Sequence, residues 1–163
     1  MNLYYPGNYR TDEQLAQMME LEAAGVCLFC PEHLPTFRPI VHKTQHWTVT
    51  TNRFPYHGTK LHYLLLPDEH VEDLVDLSPE SHVDFWTALR WARDEHGLRY
   101  YGLAARNGDC AYTGGTIRHV HVHLLQGDVE DPDHGSVRVR LSSHPRELAL
   151  RGLDPDEFNP GRP

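Results

Sequence analysis

The sequence has no long apolar run, few cysteines and no excess of positive charge. No apolar stretch approaches the roughly 20 residues that span a bilayer, so we expect no membrane segment. Lys and Arg number 15 against 23 Asp and Glu, which gives a formal charge of −8. This balance disfavours general binding to nucleic-acid backbones, which requires surfaces rich in Lys and Arg. The negative charge of the chain is still compatible with binding of a small nucleotide in a local site.

The N-terminus lacks the basic and apolar regions of a signal peptide. The three cysteines are Cys27, Cys30 and Cys110. An odd number of cysteines without a secretion signal is typical of a reducing compartment, so we predict a cytoplasmic protein. At 163 residues, the chain is predicted to form one domain with its own core.

Two helices and several short strands are predicted. Capping signals precede residues 12–24 and 79–96, and a glycine follows each segment. In the second helix, Trp86 and Leu89 are expected to face the core. Residues 31–39, with three prolines, are expected to be a loop. Strands are predicted at 39–42, 46–51, 61–67, 98–107, 117–125 and, as a last edge strand, 137–143. This irregular order indicates an α+β fold with an antiparallel sheet.

A row of histidines carries the strongest functional signal. His119, His121 and His123 alternate with apolar residues, so in a strand their imidazoles would share one face at intervals of roughly 7 Å. Imidazoles in a row suit metal ligation, nucleophilic attack or proton transfer. The alternative is a polar strand face in a chain that contains 13 histidines.

The pair Cys27-x-x-Cys30 is half of a zinc site and needs two more ligands. Further candidate ligands are His33, His42, His46, His62, His70 and the histidine row. A site of Cys27, Cys30, His70 and His119 would fill four positions with protein ligands, which makes the zinc structural. It would hold His119 rigid and leave His121 free. A redox role is the alternative, but it requires a thioredoxin-like βαβ unit, and here a predicted helix precedes the cysteines.

His121 would then be the accessible imidazole of the row. A neutral imidazole is a competent nucleophile toward phosphorus, and covalent capture divides one difficult displacement into two easier ones. His123 can donate a proton or a hydrogen bond to a phosphate oxygen or to the leaving group. These two histidines are the predicted catalytic side chains, together with the hydroxyl of Thr116.

A loop before the histidine row can bind phosphate oxygens. Gly114 and Gly115 permit close approach of the backbone, and Thr116 offers a hydroxyl. Asn107 and Gly108 open the same loop. Backbone N–H groups and hydroxyls of this kind stabilise charge that develops at a phosphoryl centre. All but Gly108 are predicted substrate-binding residues.

The motif "HVHVHLL" resembles the signature of the histidine triad (HIT) superfamily of nucleotide hydrolases and transferases. Three other segments, "CLFC", "LHYLLLPDEH" and "GGTIRHVHVH", are similar to family motifs and occur in the family's order. The resemblance covers residues 25–126. It implies one HIT domain, with residues 127–163 as a C-terminal extension, and an α+β fold with about five antiparallel strands and two helices. It also implies a homodimer and a small nucleotide ligand, of the adenosine type.

The resemblance implies roles for individual residues. His121 would attack the α-phosphate and form a nucleotidyl-histidine, from which water releases a nucleoside monophosphate. The substrate would be a nucleoside phosphoramidate or a dinucleoside polyphosphate. The zinc ligands of relatives match the four residues proposed above. His62 matches a histidine that lines the active site, and Asn52 resembles a residue near the nucleoside.

Two positions bear on the choice among activities. Gly115 stands where the family commonly has Gln, which removes a side-chain donor. His123 stands where hexose-phosphate uridylyltransferases have Gln, which favours a hydrolase or a phosphorylase. The remaining alternatives are a dinucleoside polyphosphate phosphorylase or nucleotidyltransferase, a hydrolase with an open three-histidine zinc site, and a nucleotide-binding protein with a vestigial site.

Overall fold

The computed structural model describes residues 2–143, so residues 144–163 of the predicted extension lie outside it. Its strands are β1 Ile40–Lys43, β2 Trp47–Thr51, β3 Thr59–Pro67, β4 Gly102–Ala105 and β5 Val122–Gly127. They form one antiparallel sheet in the order β1-β2-β3-β5-β4. The helices are α1 Asp12–Ala24, α2 Leu34–Phe37, α3 Pro79–Glu95 and α4 Cys110–Thr113. The predicted α+β fold is confirmed, with two one-turn helices beside the two that were predicted.

Both long helices begin at the capping signals that the sequence carries. The Thr11 hydroxyl accepts a hydrogen bond from the Gln14 N–H at 3.1 Å, and the Ser78 hydroxyl accepts one from the Ser81 N–H at 3.2 Å. Such bonds satisfy amide groups that the first turn of a helix leaves unpaired. Gly25 ends α1 in a left-handed conformation, at φ 65°, which glycine adopts without steric cost.

One face of the sheet packs against α3. Alternating apolar residues of β3 and β5 bury their side chains there, and α3 contributes Ala88, Leu89 and Ala92. Leu89 faces the core as predicted, but the prediction for Trp86 is wrong, since it is 60% exposed. The buried stripe of α3 runs through Phe85, Ala88 and Ala92 at helical spacing, and Trp86 lies one position, about 100°, away from it.

The other face of the sheet carries the polar and reactive side chains. Leu64 and Leu66 point to this face and pack against α1 and the segment that contains Cys27 and Phe29. Because side chains alternate along a strand, His62 and His123 lie on the same face as Leu64. Within residues 2–143, no helix combines the length and apolar character that a membrane crossing requires.

The histidine strand is shorter than predicted, because β5 begins at Val122 rather than at residue 117. The chain bends at Arg118 and His119 before β5, and the residues there bond outside the sheet ladder. The Arg118 N–H donates to the Leu3 carbonyl at 2.8 Å, and the Val120 N–H donates to the Val71 carbonyl at 2.7 Å. The N-terminal segment and the segment after β3 thus hold the backbone around His119 in place of a neighbouring strand.

Three other secondary-structure predictions require correction. The predicted loop 31–39 contains the short α2, and the predicted strand 98–107 is reduced to β4. Residues 137–143 form no edge strand. This segment bonds to residues that follow β4 instead. The Arg140 carbonyl accepts from Arg106 Nε at 2.8 Å, and the Ser143 N–H donates to the carbonyl of Tyr112 in α4 at 2.9 Å.

Candidate active site and metal site

A cavity of about 250 Å³ opens on the sheet face opposite α3. Six residues predicted for catalysis or substrate binding line it: Asn52, Gly114, Gly115, Thr116, His121 and His123. The structure therefore brings the glycine loop and the second and third histidines of the row to one place.

His121 is held in one tautomer. Its Nδ1–H donates to the His119 carbonyl at 2.9 Å, so the lone pair is on Nε2. Burial lowers the pKa of His121 to about 4, which keeps the ring neutral near pH 7. The Phe29 ring packs against it with centroids 5.1 Å apart. A neutral imidazole with a fixed lone pair beside a cavity has the properties of a nucleophile.

His123 and His62 form a buried pair. His123 Nδ1 lies 2.8 Å from His62 Nε2, and Arg106 donates to His123 Nε2 at 3.1 Å. Burial, followed by the charge of Arg10, lowers the pKa of His62 to about 4. Burial, followed by His121 and His62, also holds the pKa of His123 far below its ordinary value. Both rings are neutral at pH 7, with a guanidinium bonded to the pair.

His119 faces a different environment, although it is two residues from His121. It is fully buried, and its Nε2–H donates to the Pro67 carbonyl at 2.9 Å. Its Nδ1 therefore carries the lone pair, and it lies 3.6 Å from Cys27 Sγ and 3.8 Å from Cys30 Sγ. A backbone carbonyl that fixes the tautomer of a histidine in this way is typical of metal-ligating imidazoles.

Four side chains could hold a metal ion here. One ligand atom from each of Cys27, Cys30, His70 and His119 lies within 4.8 Å of the others, and His70 Nδ1 is 3.2 Å from Cys30 Sγ. Burial, followed by the neighbouring Cys27, raises the pKa of the Cys30 thiol to about 12. A cation between the two sulfurs reverses this effect, because it stabilises thiolates. This donor set fits a soft, four-coordinate ion.

The metal cluster and the pocket are joined through the backbone of His119. Its side chain belongs to the cluster, while its carbonyl accepts the proton that fixes the tautomer of His121. A metal ion that immobilises His119 would thus orient the neighbouring imidazole. Since His119 Nδ1 faces the cysteines, the described residues do not assemble the alternative site with three histidine ligands.

The glycine loop is built for close packing. Gly114 has φ 82°, a left-handed conformation that favours glycine. Gly115 has no such constraint, but a Cβ there would lie 2.8 Å from Cys110 Sγ. Cys110 thus fills the space that a side chain at position 115 would need. Asn8 binds this loop, since its Nδ2 donates to the Gly115 carbonyl at 2.7 Å.

Two predicted substrate-binding residues make structural contacts. The Asn107 side chain accepts from the Leu74 N–H at 3.0 Å and is not among the residues that line the cavity. Asn52 lines the cavity, and its Oδ1 accepts from the Phe54 N–H at 3.0 Å while its Nδ2 lies 3.0 Å from His62 Nε2. His62 does not line the cavity itself, but it contacts three residues that do, Asn52, Tyr56 and His123.

The sequence reasoning missed the arginines of the pocket. Those that line it are Arg10, Arg38, Arg106, Arg138 and Arg140. They come from four separate segments, so no spacing pattern groups them. Of these arginines, only Arg106 could have been connected with the site from the sequence, because it directly precedes the predicted loop residue Asn107. Tyr56 was missed as well, and its ring stacks on His123 at 5.3 Å while its hydroxyl accepts from Arg106 at 2.9 Å.

The fold and the site together define an α+β protein in which a row of imidazoles connects a Cys/His cluster to an arginine-lined pocket. The HIT domain model matches residues 38–130. The chain belongs to the HIT domain family. The match contains His70, the glycine loop and the whole histidine row.

Several solved structures are similar to this chain. One is a HIT family hydrolase from Clostridium thermocellum, with 23% identity, a TM-score of 0.53, and coverage of 66% of this chain and 95% of that one. Another is a hypothetical protein from Leishmania major, with 24% identity, a TM-score of 0.53, and coverage of 79% and 92%. A third is a HIT family protein from Bacillus anthracis, with 25% identity, a TM-score of 0.51, and coverage of 77% and 87%. These similarities show the fold. No curated protein matches the chain.

Proposed function

We propose that the protein is a nucleotide hydrolase that acts through a nucleotidyl-His121 intermediate. The observation that carries this proposal is the state of His121, a neutral ring whose Nδ1–H is bonded to the His119 carbonyl and whose other nitrogen is left to the arginine-lined cavity. Membership of the HIT family supports a nucleotide as the substrate.

The reaction has two steps. The Nε2 lone pair of His121 forms a bond to the α-phosphorus, and the bond from phosphorus to the leaving group breaks with its electrons on the leaving group. Water then attacks the same phosphorus, the N–P bond breaks, and a nucleoside monophosphate leaves with the ring restored. Substrates with the required bond are nucleoside phosphoramidates and dinucleoside polyphosphates, and adenosine is the proposed nucleoside.

Other pocket residues support these steps. Gly114, Gly115 and Thr116 line the cavity with His121. In this proposal, the glycine backbone and the Thr116 hydroxyl bind the phosphate oxygens and stabilise charge in the transition state. Arg106 adds a guanidinium next to His123, and its Nε lies 3.6 Å from the point where Gly114 would carry a Cβ.

We infer that the metal ion is a structural zinc. In a tetrahedral site with Zn–S of about 2.3 Å and Zn–N of about 2.0 Å, ligand atoms are about 3.3–3.8 Å apart. The sulfur–nitrogen distances of 3.6 and 3.8 Å lie in this range, and the third, 3.2 Å between Cys30 and His70, lies just below it. Bound zinc would hold the N-terminal segment of Cys27 against β3 and β5 and keep His119 in place. It would take no part in the bond changes.

A homodimer and a cytoplasmic location are part of the same proposal. Trp86, Tyr101 and Leu103 are exposed by 40–60%, and β4 is the last strand of the sheet. An edge strand with exposed apolar side chains favours pairing with a second copy. The three free cysteines fit a reducing compartment.

Covalent labelling tests the mechanism. The protein is mixed with a dinucleoside polyphosphate that carries a radiolabelled α-phosphate and is then denatured rapidly without acid. One histidine should retain the label. His121→Ala should remove the label and lower kcat by at least about 10³-fold, while thermal unfolding stays close to wild type. Running the assay with and without inorganic phosphate separates a hydrolase from a phosphorylase. Turnover that survives His121→Ala would contradict the mechanism.

A further inference from the structure

Two segments outside the family match reach the active-site pocket. The match covers residues 38–130, yet Arg10 precedes it and Arg138 and Arg140 follow it, and all three line the cavity. The C-terminal segment 135–143 crosses the pocket on a defined path. A Cβ at Gly58 would overlap the Gly135 carbonyl oxygen, so glycine at position 58 allows the segment to pass.

A second cavity of about 450 Å³ adjoins the first. Arg10, Tyr56 and Arg138 line both cavities, so they form the boundary between them. His57 and Ser136 extend the lining of the second cavity with further hydrogen-bonding groups. Because Tyr56 also stacks on His123, this boundary lies next to the histidine row.

The two cavities concentrate positive charge in an acidic protein. Five arginines line the first cavity and two of them also line the second, although the whole chain has a formal charge of −8. Among the described residues, no Asp or Glu lines either cavity. Burial lowers the pKa of Arg10, and the charge of Arg106 lowers it further. Guanidinium groups placed together without a carboxylate are complementary to phosphate.

We propose that the second cavity is a subsite for a leaving group that contains phosphate, with Arg10 and Arg138 as its anion-binding side chains. This inference rests on the proposed function and narrows its substrate class. The preferred substrate is a nucleoside polyphosphate derivative in which the bond from the α-phosphorus to a bridging oxygen breaks. The leaving phosphate keeps the bonding electrons on that oxygen, and the guanidiniums bind its negative charge. A phosphoramidate releases a neutral amine, so its binding and turnover should not depend on the guanidiniums of this subsite.

Paired substrates test the proposal. P1,P4-di(adenosine-5′) tetraphosphate and adenosine 5′-phosphoramidate share the transferred adenylyl group and differ in the charge of the leaving group. Arg138→Gln should lower kcat/KM for the tetraphosphate about tenfold, as expected for loss of one charged hydrogen bond, and change that for the phosphoramidate less than twofold. Arg138→Lys should restore part of the loss. Arg99→Gln removes an exposed charge elsewhere and should change neither value.

Equal effects of Arg138→Gln on the two substrates, or no effect on either, would overturn the subsite. A binding measurement separates this result from a failure of the proposed function. Inorganic tripolyphosphate, titrated calorimetrically, should bind wild type and Arg99→Gln equally and Arg138→Gln about tenfold more weakly. If the protein turns over neither substrate, the proposed function fails, and the tripolyphosphate titration still decides whether the subsite exists. Unchanged affinity in Arg138→Gln would reject it.

Discussion

His119 and His121 are the same residue type two positions apart, yet the fold uses them in opposite ways. His119 is fully buried and directs its lone pair at two cysteine sulfurs, whereas His121 is half-buried and lines an open cavity. Each ring has its proton fixed by a backbone carbonyl. The carbonyl of Pro67 leaves Nδ1 of His119 to the Cys/His cluster, and the carbonyl of His119 leaves Nε2 of His121 to the arginine-lined cavity.

The chemical role of each imidazole therefore depends on its tautomer as well as on its position in the strand. A histidine row on a strand places rings on one side, but it does not specify which nitrogen is basic. Two backbone carbonyls do so here, that of Pro67 for His119 and that of His119 for His121. The predicted metal and nucleophile ends of the row should therefore respond differently to substitution.

Removal of the metal ligands should have the largest effect on stability. Cys27→Ser should lose the bound metal and lower the free energy of unfolding by about 3 kcal/mol or more, because metal binding and folding are coupled. Turnover should fall as a consequence, since a loose His119 no longer orients His121. Metal analysis and chemical denaturation check both effects.

His33→Gln is the matched control for Cys27→Ser, because His33 follows the motif but is not in the four-residue cluster. It should keep one equivalent of metal and wild-type stability. His121→Ala gives the reverse pattern, with metal and stability retained and turnover lost. A Cys27→Ser protein without metal but with unchanged unfolding would show that the cluster does not stabilise the fold, and the contrast between the two histidines would disappear.

A smaller effect is expected in the glycine loop that faces His121. Gly115→Ala places a Cβ 2.8 Å from Cys110 Sγ, and overpacking of this kind costs about 1–3 kcal/mol. The double variant Gly115→Ala/Cys110→Ala should recover much of this loss, because the sulfur that causes the overlap is gone. Thermal or urea unfolding of the two single variants and the double variant measures the coupling.

Gly102→Ala is the control for Gly115→Ala, since a Cβ there meets no atom within 4 Å. It should leave stability nearly unchanged. If Gly115→Ala is equally neutral, the loop has room for a side chain, and the glycine at the family's usual Gln position needs another explanation than Cys110.

The features that the sequence predicted are those encoded by local spacing. The cysteine pair, the alternating histidines and the capping residues of α1 each lie within a few positions of one another. The structure brings the four predicted metal ligands into one cluster. Their assembly could be predicted because the four ligands lie in three motifs, and the motifs occur in a recognisable order.

The features that were missed depend on tertiary contacts between distant segments. Arg10 and Arg138 meet at one cavity although 128 positions separate them, and neither has a local signal. The alternation in residues 137–143 indicated a strand, but this segment bonds to Tyr112 and Arg106 instead of a sheet edge. Alternating polarity indicates that the two sides of an extended segment have different surroundings. It does not indicate whether a neighbouring strand or a loop provides them.

His62, which contacts His123 at the pocket end of the histidine row, should make the stability of the fold depend on pH. His62 has a pKa of about 4 in the folded protein, below its ordinary value of 6.5, because it is buried and lies near Arg10. Between these values the unfolded chain binds the proton and the folded chain does not. This contribution to stability is therefore complete above about pH 6.5 and decreases as pH falls toward 4, by up to about 1.4 kcal/mol per pH unit.

His62→Gln removes this titration while retaining a polar side chain at the position. The wild-type free energy of unfolding should consequently fall more steeply between pH 6.5 and 4 than that of the variant, and the two curves should run parallel above pH 7. At pH 6 the difference attributable to titration should be under about 1 kcal/mol. Loss of metal in acid affects both proteins alike, because His62 is not in the Cys/His cluster, so it cancels in the difference. Parallel curves over the whole range would show that burial beside the arginines does not hold this ring neutral, and the pocket would then resemble an ordinary solvated histidine surface.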